Sequence, residues 1–268
     1  MPKAHVNGID INYRFDGSET AAETIVLVCG LGDDINSWDF QMPALLDAGF
    51  RVLRFDNRGI GGSDRPAGPY SSKLLCEDTK ALVDFLGLNK FHLLGFSMGG
   101  MTVQEYALAY PGDLKSAIFG STYAKADTYC QMRFSLWGDI AAAVGVPAAM
   151  RDAALCLFTI PFFEDRPDDL AAFTAGMAQL DMSSEDFLAQ LAAVQTHDAA
   201  SRLDQIAVPS LVMAAVDDIL IPLPLSKRLH GAIAGAKWAT VPGGHACLWE
   251  NPEPFNKVIV DFFKSNAG

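Results

Sequence analysis

The sequence predicts an α/β fold in which helices cover both faces of a mostly parallel sheet. Short apolar runs alternate along the chain with segments whose apolar residues recur at helical spacing. Residues 24–29 form a continuous β-branched and apolar run, which is typical of a strand buried on both faces. Strands that alternate with helices in this way form parallel sheets, because each helix carries the chain back across the sheet.

The first half of the chain supplies an edge hairpin and four further strands. Residues 5–15 alternate between apolar and polar side chains around the Asn7-Gly8 turn signal, which predicts a hairpin. Strands are predicted at residues 24–29, 51–55, 91–94 and 114–119, with helices near 38–46, 74–86 and 102–109.

A helical insertion interrupts this alternation. Residues 121–203 are rich in Ala, Met and Phe at helical spacing and contain no convincing strand. The alternation then resumes with strands at 210–216 and 238–241 and helices at 223–234 and 254–263, which brings the sheet to eight strands. We therefore predict a core of residues 1–121 and 206–268, and a helical cap of residues 122–205 over the carboxyl edge of the sheet.

The composition excludes several classes of function. The 268 residues are 50% hydrophobic and 19% charged, which is ample for a buried core. A net charge of −12 without a basic cluster excludes nucleic acid as a partner and disfavours highly anionic substrates. No apolar run approaches the roughly 18 residues of a membrane span, and no apolar signal segment opens the chain, so a cytosolic location without membrane contact is expected. A monomer and a homo-oligomer are equally compatible with the sequence.

The cysteines predict neither a metal site nor a disulfide framework. They show no close pair and no metal-ligand spacing, and most stand among apolar neighbours as small hydrophobic residues. The five positions are Cys29, Cys76, Cys130, Cys156 and Cys247. No metal or organic cofactor is expected.

A Gly-x-Ser-x-Gly motif around Ser97 is the centre of the functional interpretation. It follows the strand at 91–94 and precedes a helical pattern, so the serine stands at a sharp turn between the two. Such a turn projects the hydroxyl from the carboxyl edge of the sheet. The alternative is a glycine-rich turn that holds phosphate and in which Ser97 only caps the helix.

A nucleophilic serine needs a base, and the base needs an orienting carboxylate. Of the five histidines, His245 alone follows a strand end in a glycine-rich loop, on the sheet edge predicted for Ser97. The strand at 210–216 ends at the same edge in Asp217 and Asp218, either of which would lie behind His245. A structural role remains the alternative for each of these residues.

These motifs together resemble the α/β-hydrolase superfamily over nearly the whole chain. The matching segments are Cys29-Gly30-Leu31-Gly32, Asp56-Asn57-Arg58-Gly59-Ile60-Gly61-Gly62-Ser63, Gly95-Phe96-Ser97-Met98-Gly99-Gly100, Asp218 four residues before Pro222, and Gly243-Gly244-His245 followed by Glu250-Asn251-Pro252. The resemblance implies that Ser97 is the nucleophile, His245 the base and Asp218 the acid, and that the Leu31 and Met98 amides form the oxyanion hole.

One departure concerns Cys29-Gly30, where many members have His-Gly. A polar group within residues 33–37 is a candidate for any role of the missing histidine side chain. Within the superfamily the chain looks most like small bacterial esterases and enol-lactonases. This implies hydrolysis of a small-molecule ester or lactone through an acyl-enzyme.

The helical insertion supplies candidate walls for an apolar substrate pocket. Its large apolar side chains either line this pocket or only pack the insertion against the sheet. The candidates are Met132, Phe134, Trp137, Phe158, Phe162, Phe163 and Met177, with Trp38 and Trp249 as a floor.

Three other functions are compatible with the same residues. The first is hydrolysis of carbon–carbon bonds in vinylogous diketones, and the second is cofactor-free perhydrolase or haloperoxidase-type chemistry. The third is a ligand-binding receptor, in which binding replaces turnover. Fold resemblance alone does not decide among them.

Overall fold

The computed structural model describes residues 1–178 and 181–268; residues 179 and 180, inside the predicted insertion, lie outside the described residues. The strands are β1 Lys3–Val6, β2 Ile9–Asp16, β3 Thr24–Val28, β4 Arg51–Phe55, β5 Phe91–Phe96, β6 Leu114–Gly120, β7 Ser210–Ala215 and β8 Lys237–Val241. The helices are α1 Met42–Asp47, α2 Ser72–Phe85, α3 Met98–Ala109, α4 Thr128–Ala143, α5 Val146–Leu157, α6 Ile160–Asp165, α7 Pro167–Ala178, α8 Ser184–Thr196, α9 Leu223–Ala232, α10 Cys247–Glu250 and α11 Pro252–Lys264.

All eight strands form one sheet in the order β1-β2-β4-β3-β5-β6-β7-β8. Strand β2 pairs antiparallel with β1 and β4, and the strands from β4 to β8 are parallel to one another. The predicted mostly parallel eight-stranded sheet is therefore confirmed. In such a sheet the carboxyl ends of the parallel strands share one edge, which is where ligands bind in open α/β folds.

Helices cover both faces of the sheet. Side chains of β3 alternate between the two faces, and those of residues 25–28 are fully buried, as the continuous apolar run predicts. Helices α2, α3 and α9 pack on one face, while α1 and α11 pack on the other. In α11 the buried residues Phe255, Ile259, Phe262 and Phe263 recur at helical spacing. Each such buried side chain contributes about 1.5–3 kcal/mol to stability.

Helices α4–α8 lie between β6 and β7, within the span predicted for the insertion. Their buried side chains form a common apolar cluster with Met98 and Met101 of α3 and with Leu220, Ile221 and Leu225, which follow β7. The insertion therefore packs over the carboxyl edge of the sheet. No helix in the described part of the chain is long and apolar enough to cross a lipid bilayer.

Several element boundaries differ from their predicted positions. Helix α2 begins two residues before the predicted start, because the Ser71 hydroxyl accepts a hydrogen bond from the Leu74 amide and caps the helix there. Helix α11 begins at Pro252 rather than at residue 254, since proline is well accommodated at the first helical position. The short helix α10 directly after His245 has no counterpart in the predicted elements.

Candidate active site

A sharp turn between β5 and α3 holds Ser97. Its φ angle is 56°, in the left-handed region that residues other than glycine rarely adopt. The neighbouring backbone is so close that a Cβ on Gly95 would lie 2.1 Å from the Gly99 carbonyl oxygen. A Cβ on Gly99 would lie 2.2 Å from the carbonyl oxygen of Val28. The two glycines of the motif therefore allow α3 to pack against β3 and β5 while the turn remains sharp.

Ser97, His245 and Asp218 form one hydrogen-bonded chain. His245 Nε2 lies 3.0 Å from Ser97 Oγ, and His245 Nδ1 lies 2.7 Å from Asp218 Oδ2. His245 and Asp218 are both buried. Because Nδ1–H donates to the carboxylate, Nε2 is left to accept the serine proton.

Two backbone amides fix the orientation of the Asp218 carboxylate. The Leu220 and Ile221 amides donate to Asp218 Oδ1 at 2.9 and 2.7 Å, which leaves Oδ2 facing His245. Asp217, the other candidate acid, is exposed and has no contact with His245. The structure thus brings together the three residues that the resemblance implies, with Asp218 rather than Asp217.

The four other histidines lie elsewhere. His5 is exposed on the edge hairpin, where it contacts Asp10, and His230 contacts a backbone carbonyl near the end of α9. His92 and His197 are buried, and burial lowers the pKa of both, that of His197 to about 4. Neither contacts Ser97, so they are internal structural residues.

The Leu31 and Met98 amides are the candidate oxyanion donors. Met98 is the first residue of α3, and Leu31 lies in the loop after β3. Among the described residues neither amide has a hydrogen-bond acceptor. The neighbouring Gly32 amide is already bound, because it donates to Gln190 Oε1 at 3.1 Å. This contact from the helical insertion helps to hold the Leu31 loop over Ser97.

Cys29, where the family resemblance implies histidine, lies directly after β3. Its side chain is fully buried, and its single S–H has the backbone oxygens of Asp34 and Phe55 as acceptors, 3.3 and 3.7 Å from Sγ. Burial raises the pKa of the Cys29 thiol well above its usual value, so it stays protonated. Cys29 therefore anchors the loop and offers no polar group to a substrate.

Polar side chains in the segment after β4 hold the same loop in place through hydrogen bonds. Asp56 accepts hydrogen bonds from the Ile35 amide at 2.7 Å, the Gly62 amide at 2.8 Å and Asn12 Nδ2 at 2.6 Å. Asn57 Nδ2 donates to the Cys29 carbonyl at 3.1 Å. The role of this stretch is thus structural, because its acid and its amide fix the loop that carries the candidate oxyanion donor.

Glu250 links the His245 loop to the helical insertion. Its Oε2 accepts from the Gly244 amide at 3.0 Å, and its Oε1 accepts from the Thr159 hydroxyl. The Ala246 amide also donates to the Leu157 carbonyl at 2.8 Å. The sequence places Glu250 in a matching motif but carries no signal of this contact, which depends on the packing of two distant segments.

Replacing Glu250 by alanine is expected to lower kcat about 10-fold or more with a smaller change in KM. The Gly244 amide and Thr159 hydroxyl would lose their acceptor, and a displaced His245 loop costs catalysis steeply. The control is Glu253→Ala, an exposed glutamate in the first turn of α11. Glu250→Gln retains an acceptor oxygen and should recover part of the rate. Equal kcat values for the Glu250→Ala and Glu253→Ala variants would contradict this role.

A small apolar cavity adjoins Ser97 and opens toward a larger cleft. The cavity encloses about 60 Å³ and the cleft about 630 Å³, and they share Gly32, Asp33, Phe173, Met177 and Trp249 as lining residues. The remaining cavity walls come from the sheet edge and from the insertion. They are Leu31, Phe96, Phe134, Trp137, Met150, Ala153, Leu157, Val194, Leu220, Ala246 and Leu248, together with Ser97 and His245.

The predicted pocket residues divide into three groups. Phe134, Trp137 and Trp249 line the cavity, together with Met177. Phe158 and Phe162 stack with ring centroids 4.2 Å apart and line the cleft. Met132 and Trp38 line neither, and Phe163 borders a separate surface groove.

Met132 and Trp38 lie outside the cavity and the cleft for simple geometric reasons. The buried residues of α4 are Cys130, Phe134, Trp137 and Ala141, so Met132 lies on the opposite face, where it is 69% exposed. Trp38 ends the short 3₁₀ helix Ile35–Trp38 and is 1% exposed within the core between the sheet and α11. Met132 is thus out of helical phase with Phe134 and Trp137, which line the cavity.

Among the described residues, no group of three or more His, Cys, Asp or Glu side chains is arranged to hold a metal ion.

Comparison with known proteins agrees with the fold. The sequence profile of the alpha/beta hydrolase fold family matches residues 23–252. The chain is 32% identical to "Putative carbamate hydrolase RutD" of Azorhizobium caulinodans, over 98% of each chain. It superposes on the enol-lactonase from Burkholderia xenovorans with a TM-score of 0.91 and 31% identity, over 98% of this chain and 100% of the other.

A bromoperoxidase from Bacillus anthracis is also similar, with a TM-score of 0.84 and 25% identity over 96% of both chains. These relatives carry three different enzyme names on one architecture, so their names alone do not assign a substrate. The match to the family profile spans most of the sequence, and the fold agrees over nearly all of it. The chain belongs to the alpha/beta hydrolase family.

Proposed function

We propose that this hydrolase cleaves a carboxylic ester or lactone through an acyl-enzyme on Ser97. The observation that carries the proposal is the hydrogen-bonded chain Ser97–His245–Asp218, with contacts of 3.0 and 2.7 Å. A serine hydroxyl within hydrogen-bond distance of an oriented imidazole is the arrangement that nucleophilic acyl transfer requires.

In the first half-reaction Ser97 Oγ attacks the substrate carbonyl while His245 Nε2 takes its proton. The Leu31 and Met98 amides then donate to the oxyanion, and Asp218 stabilises the imidazolium. His245 passes the proton to the leaving oxygen as the carbon–oxygen bond breaks. In the second half-reaction a water molecule, deprotonated by His245, attacks the acyl-enzyme and releases the acid and Ser97.

The shape of the site supports a small acyl part and a larger leaving part. A cavity of about 60 Å³ beside Ser97 accommodates only a short acyl group, while the cleft of about 630 Å³ has room for the rest of the substrate. Aromatic walls from the insertion favour apolar groups. One structural relative is named an enol-lactonase, which supports a lactone substrate. Another relative is named a putative carbamate hydrolase, and the same acyl-transfer step would cleave a carbamate.

A second candidate function is transfer of the same acyl group to hydrogen peroxide instead of water. The similarity to the bromoperoxidase favours it. The first half-reaction is unchanged, and the peroxide oxygen replaces water in the second, so that a peracid leaves. Assay of peracid formation from an ester and hydrogen peroxide, alongside simple hydrolysis, separates the two functions.

The proposal is tested by covalent labelling with a fluorophosphonate. Attack by Ser97 Oγ on phosphorus expels fluoride and leaves one phosphonyl group on the enzyme. We expect one label per chain, located on Ser97 by peptide mass mapping, with loss of esterase activity in proportion to labelling. The Ser97→Ala variant should take up no label. Full labelling at another residue, or full activity with Ser97 labelled, would refute the assignment.

A further inference from the structure

We propose that Asp33 determines acyl specificity and selects substrates with an N–H group directly beside the scissile carbonyl, such as carbamates, over apolar esters of the same size. This inference rests on the proposed function, since it assumes acyl transfer to Ser97. The reaction as derived above does not use Asp33.

Asp33 lies beside both the nucleophile and the loop of the Leu31 amide. A Cβ placed on Gly30 would be 2.7 Å from Asp33 Oδ2 and 3.6 Å from Ser97 Cβ. The carboxylate and the nucleophilic residue therefore flank the same glycine. Asp33 also lines both the cavity and the cleft, so its side chain borders the path that a substrate follows.

Asp33 is the polar side chain in the cavity that remains available to a substrate. Trp137 Nε1 donates to Asp152 Oδ2 at 2.9 Å, and Trp249 Nε1 donates to the Ser37 carbonyl at 2.7 Å. Ser97 and His245 form a hydrogen bond with each other, and the remaining side chains around the cavity are apolar. Among the described residues no side chain donates a hydrogen bond to Asp33, whose carboxylate accepts from the Gly30 amide.

The electrostatic surroundings of Asp33 are mixed. His245 faces it from the loop after β8, and Asp34 and the protonated Cys29 thiol lie on its own loop. Arg166, Asp169 and Asp181 line the cleft beyond. Burial raises the pKa of the Asp33 carboxyl to about 7, although His245 and the Gly30 amide lower it.

These surroundings allow the Asp33 carboxylate to discriminate between substrates by the group beside the scissile carbonyl. Substrate binding displaces water from the half-buried Asp33 carboxylate, which then needs a hydrogen-bond donor, and an N–H beside the substrate carbonyl supplies one. A methyl group in the same place removes water and supplies no donor, so the carboxylate keeps the Gly30 amide alone as its hydrogen-bond partner among the described residues. Sites built around a buried polar group reject such analogues strongly, because the group of the protein is left unpaired.

The test compares phenyl carbamate with phenyl acetate, which differ by NH₂ against CH₃ and both release phenol. We expect the ratio of kcat/KM for carbamate to that for acetate to fall about 10-fold or more in Asp33→Leu. The control Asp168→Leu changes an exposed aspartate outside the cavity and cleft and should keep the wild-type ratio. Asp33→Asn serves if Asp33→Leu does not fold, as judged by thermal unfolding; its amide keeps an acceptor oxygen but cannot ionise, so its ratio should not change with pH.

The pH dependence of this ratio gives a second readout. Both substrates use the same triad, so its titration cancels. In the wild type the ratio should rise as pH increases through about 7, where Asp33 becomes ionised, and in Asp33→Leu it should be flat. A ratio that is unchanged by the substitution, or flat in the wild type, overturns the role of Asp33. If Ser97→Ala still hydrolyses both substrates, the proposed function itself fails.

Discussion

Replacing Ser97 by alanine is expected to reduce kcat for ester hydrolysis about 10⁶-fold while the fold remains intact. The substitution removes the oxygen that attacks the carbonyl, and no other hydroxyl contacts His245 among the described residues. Alanine has the same backbone restrictions as serine, so the turn at φ 56° is not strained further. The measurement is the steady-state rate of 4-nitrophenyl acetate hydrolysis, together with the thermal unfolding temperature.

A loss of this size demands control of contamination. The variant should be produced without contact with wild-type enzyme, and the residual rate should be titrated with the fluorophosphonate. Residual activity that the reagent abolishes at far below one equivalent belongs to contaminating wild type. Retention of more than a tenth of the wild-type rate by clean protein would show that Ser97 is not the nucleophile.

The relative positions of the three central residues are predictable from sequence because of a simple property of parallel sheets. Ser97, Asp218 and His245 each follow a strand of the sheet at its carboxyl end, and parallel strands bring those ends to one edge. Separations of 148 and 27 residues along the chain are therefore no obstacle. The motif register also distinguishes Asp218 from Asp217, whose side chain is exposed.

The walls of the site are less predictable, because they depend on how the insertion packs. Helix α4 carries large apolar residues on both its buried and its exposed face, so composition does not separate Phe134 from Met132. Trp38 is buried because a short 3₁₀ helix turns it into the core, a local detail with no periodic signal. The roles expected of Glu250 and proposed for Asp33 depend on contacts between segments, which hydrophobic patterning does not encode.

Replacing Asp218 by asparagine should reduce kcat about 10⁴-fold, and the structure specifies the reason. The Leu220 and Ile221 amides donate to Oδ1, so the amide oxygen of asparagine would be held in that place and its NH₂ group would face His245. That NH₂ group donates to Nδ1 and forces the proton of the neutral imidazole onto Nε2. Nε2 then cannot accept the proton of Ser97, although the three side chains keep their positions.

The matched control is Asp217→Asn, which removes the same charge from the neighbouring exposed position and is expected to keep nearly the wild-type rate. Asp218→Ala isolates the effect of the imidazole proton, because it removes the carboxylate without offering a competing donor to Nδ1. We expect Asp218→Ala to be the more active of the two Asp218 variants if the proton position dominates. All three variants are compared by their steady-state kcat and kcat/KM for 4-nitrophenyl acetate. Less than a 10-fold loss in Asp218→Asn would show that the carboxylate does not set the tautomer of His245.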